Sequence, residues 1–290
     1  MRPRERWFYL LISPWLIGLV VLQLLPFAGT ALLSLAAWDP PSAPSWVGTA
    51  NFEALLGDGR FVHAVFNTVV YGLATVVPGL GLGLGLALLL RGLRRGALLA
   101  QSTVFMPAII AGVATALMWG WIFNPRFGLL NGLLGALGID GPAWLRDPQW
   151  AMPAIVLMGL WNLGINVVIY IAALNTVPRD LHEAAALDGA GSLSRFRHVT
   201  WPALTPITFY LGVVNAIAAF QVFTPTYLLT GGGPEDATLT TSLYTYQAAF
   251  VSGRLGYASA MTLVTLAFVV VLTLALFRYA GRRVQYLGGD

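Results

Sequence analysis

Long apolar runs without Asp, Glu or Arg alternate with short polar segments along this chain. A membrane-spanning helix needs about 20 consecutive apolar residues, and six of the runs are long enough. They predict membrane helices at approximately 8–37, 62–90, 97–123, 150–174, 203–229 and 255–277. The apolar run Phe127–Ile139 is too short to span, and the segment Ala237–Gly253 is too polar. The pattern therefore predicts an all-α integral membrane protein with a single six-helix transmembrane domain over residues 1–290.

The first apolar run has a second interpretation. Arg2, Arg4 and Arg6 precede it, and Ser34–Ala36 resembles a cleavage site, so the run also fits a secretory signal peptide. The apolar region of a signal peptide is about 7–15 residues long, and this run is about twice that length. We therefore expect an uncleaved membrane helix.

Composition supports the membrane assignment. Hydrophobic residues make up 57% of the chain and charged residues only 10%, with a mean hydropathy of +0.74. A soluble domain carries about 25% charged residues. A disordered chain has few hydrophobic and many charged residues, which is the opposite of this composition. There is no Cys and no Lys, since all 16 basic residues are Arg. Disulfides, thiolate metal sites and a phosphate-binding P-loop, which requires Lys, are therefore excluded.

The arginines predict the orientation of the chain. Positively charged residues accumulate in cytoplasmic loops of membrane proteins. With the N-terminus inside, only Arg60, Arg126, Arg146 and Arg254 fall outside. Twelve arginines then lie on the cytoplasmic side: Arg2, Arg4, Arg6, Arg91, Arg94, Arg95, Arg179, Arg195, Arg197, Arg278, Arg282 and Arg283. Both termini are thus predicted to be cytoplasmic. The arginines occur in small groups between the apolar runs, beside the membrane lipid, and these groups account for the pI of about 9.6. We therefore expect no nucleic-acid partner.

The segment 178–202, here called the coupling segment, is the long charged loop on the predicted cytoplasmic side. A short helix is expected after Pro178, capped by Asp180 and ended by Gly189, and Pro202 is expected to open the fifth span. Its alanines permit close approach of another protein, which favours docking into a groove on a partner. A solvated connector between two spans is the alternative.

The coupling segment resembles the EAA loop of binding-protein-dependent ABC importer permeases. That motif is EAA, three residues, Gly, nine residues, Ile, one residue and Leu-Pro. This sequence has the same spacing, with Val in place of Ile and Trp in place of Leu: Glu183-Ala184-Ala185, Gly189, Val199 and Trp201-Pro202. Further segments extend the resemblance over nearly the whole chain to the "first" permease of maltose and glycerol-phosphate importers: Asn51-Phe52, Asp58, Phe61 and Asn67-Thr68; Asn124-Pro125, Gly128-Leu129 and Asn131; Thr230–Pro234, Tyr246, Ala249-Phe250, Gly256-Tyr257 and Ala260.

The resemblance implies a type I (MetI-like) importer bundle in a bacterial cytoplasmic membrane, and a function in ATP-driven uptake of a mono- or oligosaccharide. It implies three partners, which are a second homologous permease, a dimeric cytoplasmic ATPase and an extracytoplasmic sugar-binding protein. The chain would be a transport subunit and not an enzyme, with no metal and no cofactor of its own, because ATP and Mg²⁺ would bind the ATPase. The residues that would couple to that ATPase are Asp180, Glu183, Ala184, Ala185, Asp188 and Gly189.

Polar residues within the spans are candidates for the substrate pathway. Asn162, Asn166 and Tyr170 are spaced at i, i+4 and i+8, which predicts one shared helix face. Trp161 is adjacent, and sugars bind through hydrogen bonds and aromatic stacking. Asn215 and Gln221 in the fifth span are further candidates. The alternative is that these side chains only form hydrogen bonds between helices.

Two other classes of membrane protein are alternatives to an ABC permease. A secondary transporter usually needs ionisable residues within its spans or inverted repeats, and the predicted spans contain no acidic residue. A membrane enzyme needs convergent acid, base or nucleophile side chains, and no such group is evident. Within the ABC class, glycerol-3-phosphate or a related phosphodiester is the alternative substrate. No Arg lies within a span, which favours a neutral sugar, although a partner permease could supply a positive charge.

Overall fold

The computed structural model describes residues 3–93 and 95–279, with only the backbone described for residues 3–8. The α-helices in chain order are α1 (Pro3–Leu19), α2 (Leu25–Leu33), α3 (Ala50–Leu56), α4 (Gly59–Arg91), α5 (Ala97–Phe105), α6 (Gly112–Ile122), α7 (Leu129–Ala136), α8 (Pro148–Trp161), α9 (Gly164–Thr176), α10 (Arg179–Leu187), α11 (Ser192–Arg195), α12 (Trp201–Phe220), α13 (Thr241–Tyr246) and α14 (Leu255–Tyr279). Two short strands, β1 (Ala36–Ala37) and β2 (Ser45–Trp46), pair antiparallel. A 3₁₀ turn covers Met106–Ile109, and π-type turns cover Val20–Leu24, Phe196–Thr200, Thr226–Thr230 and Gln247–Val251.

Four continuous helical segments of the described chain are long and apolar enough to cross a membrane: Tyr9–Leu33, Gly59–Arg91, Ser192–Phe220 and Leu255–Tyr279. Two further candidates are bent pairs, Ala97–Ile109 with Gly112–Ile122 and Pro148–Trp161 with Gly164–Thr176. If each pair crosses once, the described residues provide six spans, one for each of the six apolar runs.

The third predicted span is bent by 99°. After α5, the 3₁₀ turn contains Pro107, and the backbone at Ile110 is extended, with ψ of 132°, before α6 starts at Gly112. Proline has no N–H to donate and restricts the residue before it, so the helix is interrupted here. The interruption leaves the end of α5 and the start of α6 separated by only a few residues.

The fourth predicted span is also broken, with a bend of 42° between α8 and α9. Asn162 is the C-cap of α8, whereas Asn166 and Tyr170 belong to α9. The prediction that these three residues share one continuous helix face is therefore wrong. Gly164 starts α9 against the end of α5, where an added Cβ would lie only 2.7 Å from the carbonyl oxygen of Val104.

The fifth predicted span starts earlier than expected, because the helix is continuous from Ser192 to Phe220. Pro202 does not open it. The π-type turn Phe196–Thr200 lies directly before the proline, and such turns accommodate local disruption of the α-helical hydrogen-bond pattern. At the other end the helix stops at Phe220, with Gln221 as its C-cap, although the apolar run continues to 229.

Contacts divide the described residues into two units, one of residues 3–62 with 244–268 and one of residues 63–243 with 269–279. In the second unit, α4, α9 and α12 share a core that contains Leu84, Tyr170 and Leu204. Gly83 permits the close approach of α4 to α9, since an added Cβ would lie 3.2 Å from the Cβ of Asn166. Nothing lies within 4 Å of a Cβ added at Gly81, so only part of the glycine-rich run 79–85 packs against another helix.

In the first unit, the β1–β2 hairpin is fastened to its neighbours by hydrogen bonds. The side-chain amide of Asn51 donates to the carbonyl oxygens of Ser34 and Ala36, each at 2.9 Å. The backbone N–H of Leu255, the first residue of α14, donates to the carbonyl of Trp38 at 3.0 Å. The Asn51 of the sequence motif thus holds the backbone after the first helical segment.

Candidate functional site

A cavity of about 320 Å³ lies in the second unit, at the two helix breaks. Pro107, Ile110 and Gly112 line it from the α5–α6 break, and Asn162 and Leu163 from the α8–α9 break. The described lining residues include no Asp, Glu, His or Arg. Seven polar side chains take part in the lining: Tyr71, Thr75, Thr115, Asn162, Asn166, Asn215 and Thr224. A pocket that is mostly apolar with a few placed polar groups is typical of small-molecule sites.

Asn166 and Asn215 form a hydrogen-bonded pair in this cavity. The Nδ2 of Asn215 lies 2.8 Å from the carbonyl oxygen of Leu211. Because a carbonyl oxygen only accepts, the amide orientation of Asn215 is fixed with its nitrogen toward Leu211. The same nitrogen donates to the Oδ1 of Asn166 at 3.1 Å. The pair therefore leaves the N–H groups of Asn166 and the Oδ1 of Asn215 for further hydrogen bonds.

The six pathway residues predicted from sequence are not all placed together. Asn162, Asn166 and Asn215 line the cavity, whereas Trp161, Tyr170 and Gln221 are not among its lining residues. Trp161 packs edge-on against Trp119, with ring centroids 5.9 Å apart. Tyr170 is fully buried and its hydroxyl donates to the Oγ1 of Thr208 at 3.3 Å, and Gln221 is exposed.

Four polar lining residues were missed by sequence reasoning: Tyr71, Thr75, Thr115 and Thr224. Tyr71 and Thr75 are separated by four positions of α4 and therefore share a helix face. That spacing was the available signal. It was overlooked because both residues lie in the otherwise apolar stretch of residues 69–78.

The coupling segment presents α10 to solvent in the described chain. Asp180, Glu183, Ala184, Asp188 and Gly189 are exposed, and Ala185 is half-buried. Leu187 is 90% exposed. The predicted cap is wrong, because Pro178 occupies the N-cap position and no side chain caps the helix. Asp180 instead lies in the first turn, where a negative charge favours the helix dipole.

Gly189 ends α10 as predicted. Its φ of +76° lies in the left-handed region, which glycine adopts without steric cost. The N–H of Gly189 donates to the carbonyl of Ala186 at 3.1 Å, and that of Ala190 to Ala185 at 2.9 Å. This is the hydrogen-bond pattern of a Schellman C-cap. It ends α10 before α11 starts at Ser192.

A charged cluster centred on Asp58 lies in the first unit. Its Oδ2 accepts hydrogen bonds from the hydroxyls of Tyr244 at 2.7 Å and Tyr257 at 2.5 Å. The guanidinium groups of Arg60 and Arg254 lie 5.1 Å and 4.2 Å from the centroids of the Tyr244 and Tyr257 rings, within the range of cation–π interactions.

The hydrogen bonds of this cluster govern the ionisation of Asp58. Burial by itself raises the pKa of Asp58, but the hydroxyls of Tyr244 and Tyr257 and the backbone N–H groups of Phe61 and Arg60 together lower it below 3.8. Conversely, burial and the adjacent carboxylate raise the pKa of Tyr244 to about 12. The carboxylate is therefore stabilised as the charged acceptor that connects these segments of the first unit.

No group of three or more His, Asp and Glu side chains among the described residues is arranged to hold a metal ion.

Four of the arginines that predict the orientation of the chain lie outside the part that the structure describes. They are Arg2, Arg94, Arg282 and Arg283.

Comparison with known proteins relates these features to a family. Residues 79–286 match the family described as binding-protein-dependent transport system inner membrane component. The chain is 38% identical over 283 residues to the probable ABC transporter permease protein YesP of Bacillus subtilis, covering 96% of this chain and 91% of that protein. It is 35% identical over 288 residues to the sn-glycerol-3-phosphate transport system permease protein UgpA of Escherichia coli O157:H7, covering 98% and 97%.

The fold also matches a solved structure. A chain of the bacterial alginate ABC transporter in complex with alginate pentasaccharide-bound periplasmic protein aligns with a TM-score of 0.87 and 22% sequence identity. The alignment covers 99% of this chain and 97% of that chain. The all-α permease fold predicted from the sequence is therefore confirmed.

Proposed function

Because the chain belongs to the inner membrane components of binding-protein-dependent transport systems, the permease subunits of ABC importers, we propose that it passes an uncharged sugar through the cavity at its two helix breaks. It is a multi-pass membrane transport subunit and not an enzyme, and the ATPase of such a system is a separate subunit. Family membership also removes the alternative of a secondary transporter.

The single observation that carries the sugar assignment is the lining of the cavity. Its polar groups are amides and hydroxyls, and the described lining contains no charged side chain. Sugar hydroxyls both donate and accept hydrogen bonds. The Asn166–Asn215 pair offers a donor from one residue and an acceptor from the other, which suits a hydroxyl or two adjacent hydroxyls.

Similarity to a glycerol-3-phosphate permease favours a second candidate substrate. An anionic substrate needs a positive partner when it leaves water, because an unpaired buried charge is costly. The described lining of this cavity supplies no Arg. A phosphate could be passed only if another subunit contributed the cation, so the neutral sugar is the better fit to this chain.

The proposed assembly contains a second homologous permease, a dimeric ATPase on the cytoplasmic side and an external sugar-binding protein. ATP and Mg²⁺ bind the ATPase, and both termini of this chain lie in the cytoplasm. The coupling segment docks into the ATPase through the residues Asp180, Glu183, Ala184, Ala185, Asp188 and Gly189. Support comes from the exposure of α10 and of Leu187, which leaves an apolar side chain available for burial in a partner.

The test uses the importer reconstituted in proteoliposomes with its partner subunits. Uptake of ¹⁴C-labelled maltose, cellobiose and xylobiose is compared with that of sn-glycerol 3-phosphate. We expect ATP-dependent uptake of a neutral sugar and none of the phosphate. Uptake of the phosphate alone would contradict the proposal.

A matched pair of variants then tests the cavity. Asn166→Asp keeps an oxygen that accepts from Asn215 but replaces the unused N–H donor with an acceptor, so sugar uptake should fall. Asp140→Asn, at an exposed position outside the predicted spans, is the control and should transport normally. Equal uptake by both variants would show that the amide pair serves only to join helices.

A further inference from the structure

The side chain of Tyr71 is buried, but its hydroxyl opens on the cavity and has no hydrogen-bond partner among the described residues. The side chain belongs to α4, is 9% exposed and lines the cavity. A hydroxyl that faces a cavity and has no protein partner can hydrogen-bond whatever occupies that cavity. The hydroxyl of Tyr71 is therefore free to exchange a water for a hydroxyl group of a ligand that enters the cavity.

Thr115 in α6 shows the same feature. It is 9% exposed and lines the cavity, and no described residue hydrogen-bonds its hydroxyl. Some helical threonines elsewhere in this chain donate to the carbonyl four residues earlier. Thr68 donates to Ala64 at 2.7 Å and Thr103 to Leu99 at 3.0 Å. The hydroxyl of Thr115 does not use this local acceptor and remains available in the cavity.

Gly159 in α8 keeps the space beside Tyr71 open. A Cβ added at this position would lie 2.8 Å from the hydroxyl oxygen of Tyr71 and 3.1 Å from the Cγ2 of Thr75. Any side chain here would therefore occupy the space next to the hydroxyl. The lack of one leaves that oxygen accessible from the cavity, which Gly159 also lines.

We propose that Tyr71 and Thr115 are specificity-determining residues that hydrogen-bond the hydroxyl groups of an uncharged sugar in this cavity. Each hydroxyl both donates and accepts, so each matches a sugar hydroxyl in either direction. They add two contacts, from α4 and α6, to the donor and acceptor that Asn166 and Asn215 supply from α9 and α12. The inference rests on the proposed function and names the groups of the substrate that this chain reads.

The test measures initial uptake rates in the reconstituted importer at saturating binding protein, with the neutral sugar that gave uptake among maltose, cellobiose and xylobiose. Tyr71→Phe removes only the hydroxyl. We expect the rate to fall about tenfold, which corresponds to the loss of one hydrogen bond to a ligand. Thr115→Val, which replaces the hydroxyl with a methyl group, should give a loss of similar size. A wild-type rate in both variants would overturn the inference.

Monodeoxy analogues of the same sugar identify the contacted hydroxyl. The wild-type importer should transport the analogue that lacks this hydroxyl about tenfold more slowly than the parent sugar. The Tyr71→Phe variant should show no further loss with that analogue, because the contact is already absent. If every analogue loses the same factor in the wild type and in Tyr71→Phe, the hydroxyl of Tyr71 does not contact the sugar.

Two control variants separate a contact with the sugar from a structural role. Tyr210→Phe, at a position 54% exposed on α12, should leave the rate unchanged. Tyr170→Phe is the control for stability, because its hydroxyl is bonded to Thr208. Tyr170→Phe should lower the melting temperature of the chain, whereas Tyr71→Phe should not, because its hydroxyl has no partner to lose. A lower melting temperature for Tyr71→Phe would assign it a structural role.

The outcomes also distinguish this inference from the proposed function. If sn-glycerol 3-phosphate is taken up and no neutral sugar is, the proposed function fails and the inference fails with it. If a neutral sugar is taken up and Asn166→Asp slows it while Tyr71→Phe and Thr115→Val do not, only the inference fails.

Discussion

Replacing Gly164 with alanine tests whether the two helix breaks are packed as tightly as the structure shows. The added Cβ would lie 2.7 Å from the carbonyl oxygen of Val104 and 2.8 Å from the Cα of Phe105. Both are backbone atoms at the end of α5, so no side-chain rotation relieves the contact. The two helices must separate, and overpacking of this kind costs about 1–3 kcal/mol.

Gly81→Ala is the matched control for this substitution. Gly81 lies within α4, and an added Cβ would meet no heavy atom within 4 Å. Alanine in a helix interior is favoured over glycine by about 0.5–1 kcal/mol. The two Gly→Ala variants should therefore differ in their free energy of unfolding by about 1.5–4 kcal/mol.

Thermal unfolding of the purified full chain in detergent micelles measures this difference. At roughly 2–4 °C per kcal/mol for a large domain, Gly164→Ala should melt several degrees below the wild type and Gly81→Ala at or slightly above it. If Gly164→Ala melts as high as Gly81→Ala, α5 and α9 are not in close contact and the described cavity wall is wrong.

Three further predictions concern other parts of the chain. Asn51→Ala removes both hydrogen bonds to the backbone after α2 and should lower the free energy of unfolding by about 1–3 kcal/mol, as measured by thermal unfolding against wild type. The lowered pKa of Asp58 stabilises the fold fully above pH 3.8, and this contribution is lost as the pH falls below that value. Tyr244→Phe removes one of the hydrogen bonds that lower this pKa, so its deficit in melting temperature should be present at pH 7 and shrink below pH 3.8. Glu183→Arg should abolish ATP-dependent uptake with normal membrane insertion, whereas Asp140→Arg should transport normally; uptake by Glu183→Arg would refute the coupling role.

The apolar runs were sufficient to predict the membrane fold, because the length of a charge-free run is a direct measure of its ability to cross a bilayer. They do not show where a span is broken. The break at Asn162 has no proline and depends on the packing of Gly164 against α5. Contacts of that kind join residues far apart in sequence, which helical periodicity does not detect.

The sequence predicts some of the residues that line the cavity and misses others for a similar reason. Asparagines within apolar runs are conspicuous, and Asn162, Asn166 and Asn215 do line it. The sequence alone does not distinguish a tyrosine packed in the core from one that faces the cavity, because Tyr71 and Tyr170 both occur in apolar helices. Only the fold separates them, since Tyr170 is bonded to Thr208 in a packed core while Tyr71 faces the cavity.

The continuous helix Ser192–Phe220 joins the coupling segment to the cavity as a single rod. Asn215 lies 23 positions after Ser192, a distance of about 35 Å at 1.5 Å per residue. Rotating the rod by about 5° around its Ser192 end would displace Asn215 by about 3 Å. That displacement equals the length of the hydrogen bond from Asn215 to Asn166. A rotation of this size would thus break the amide pair and change which of its polar groups face the cavity.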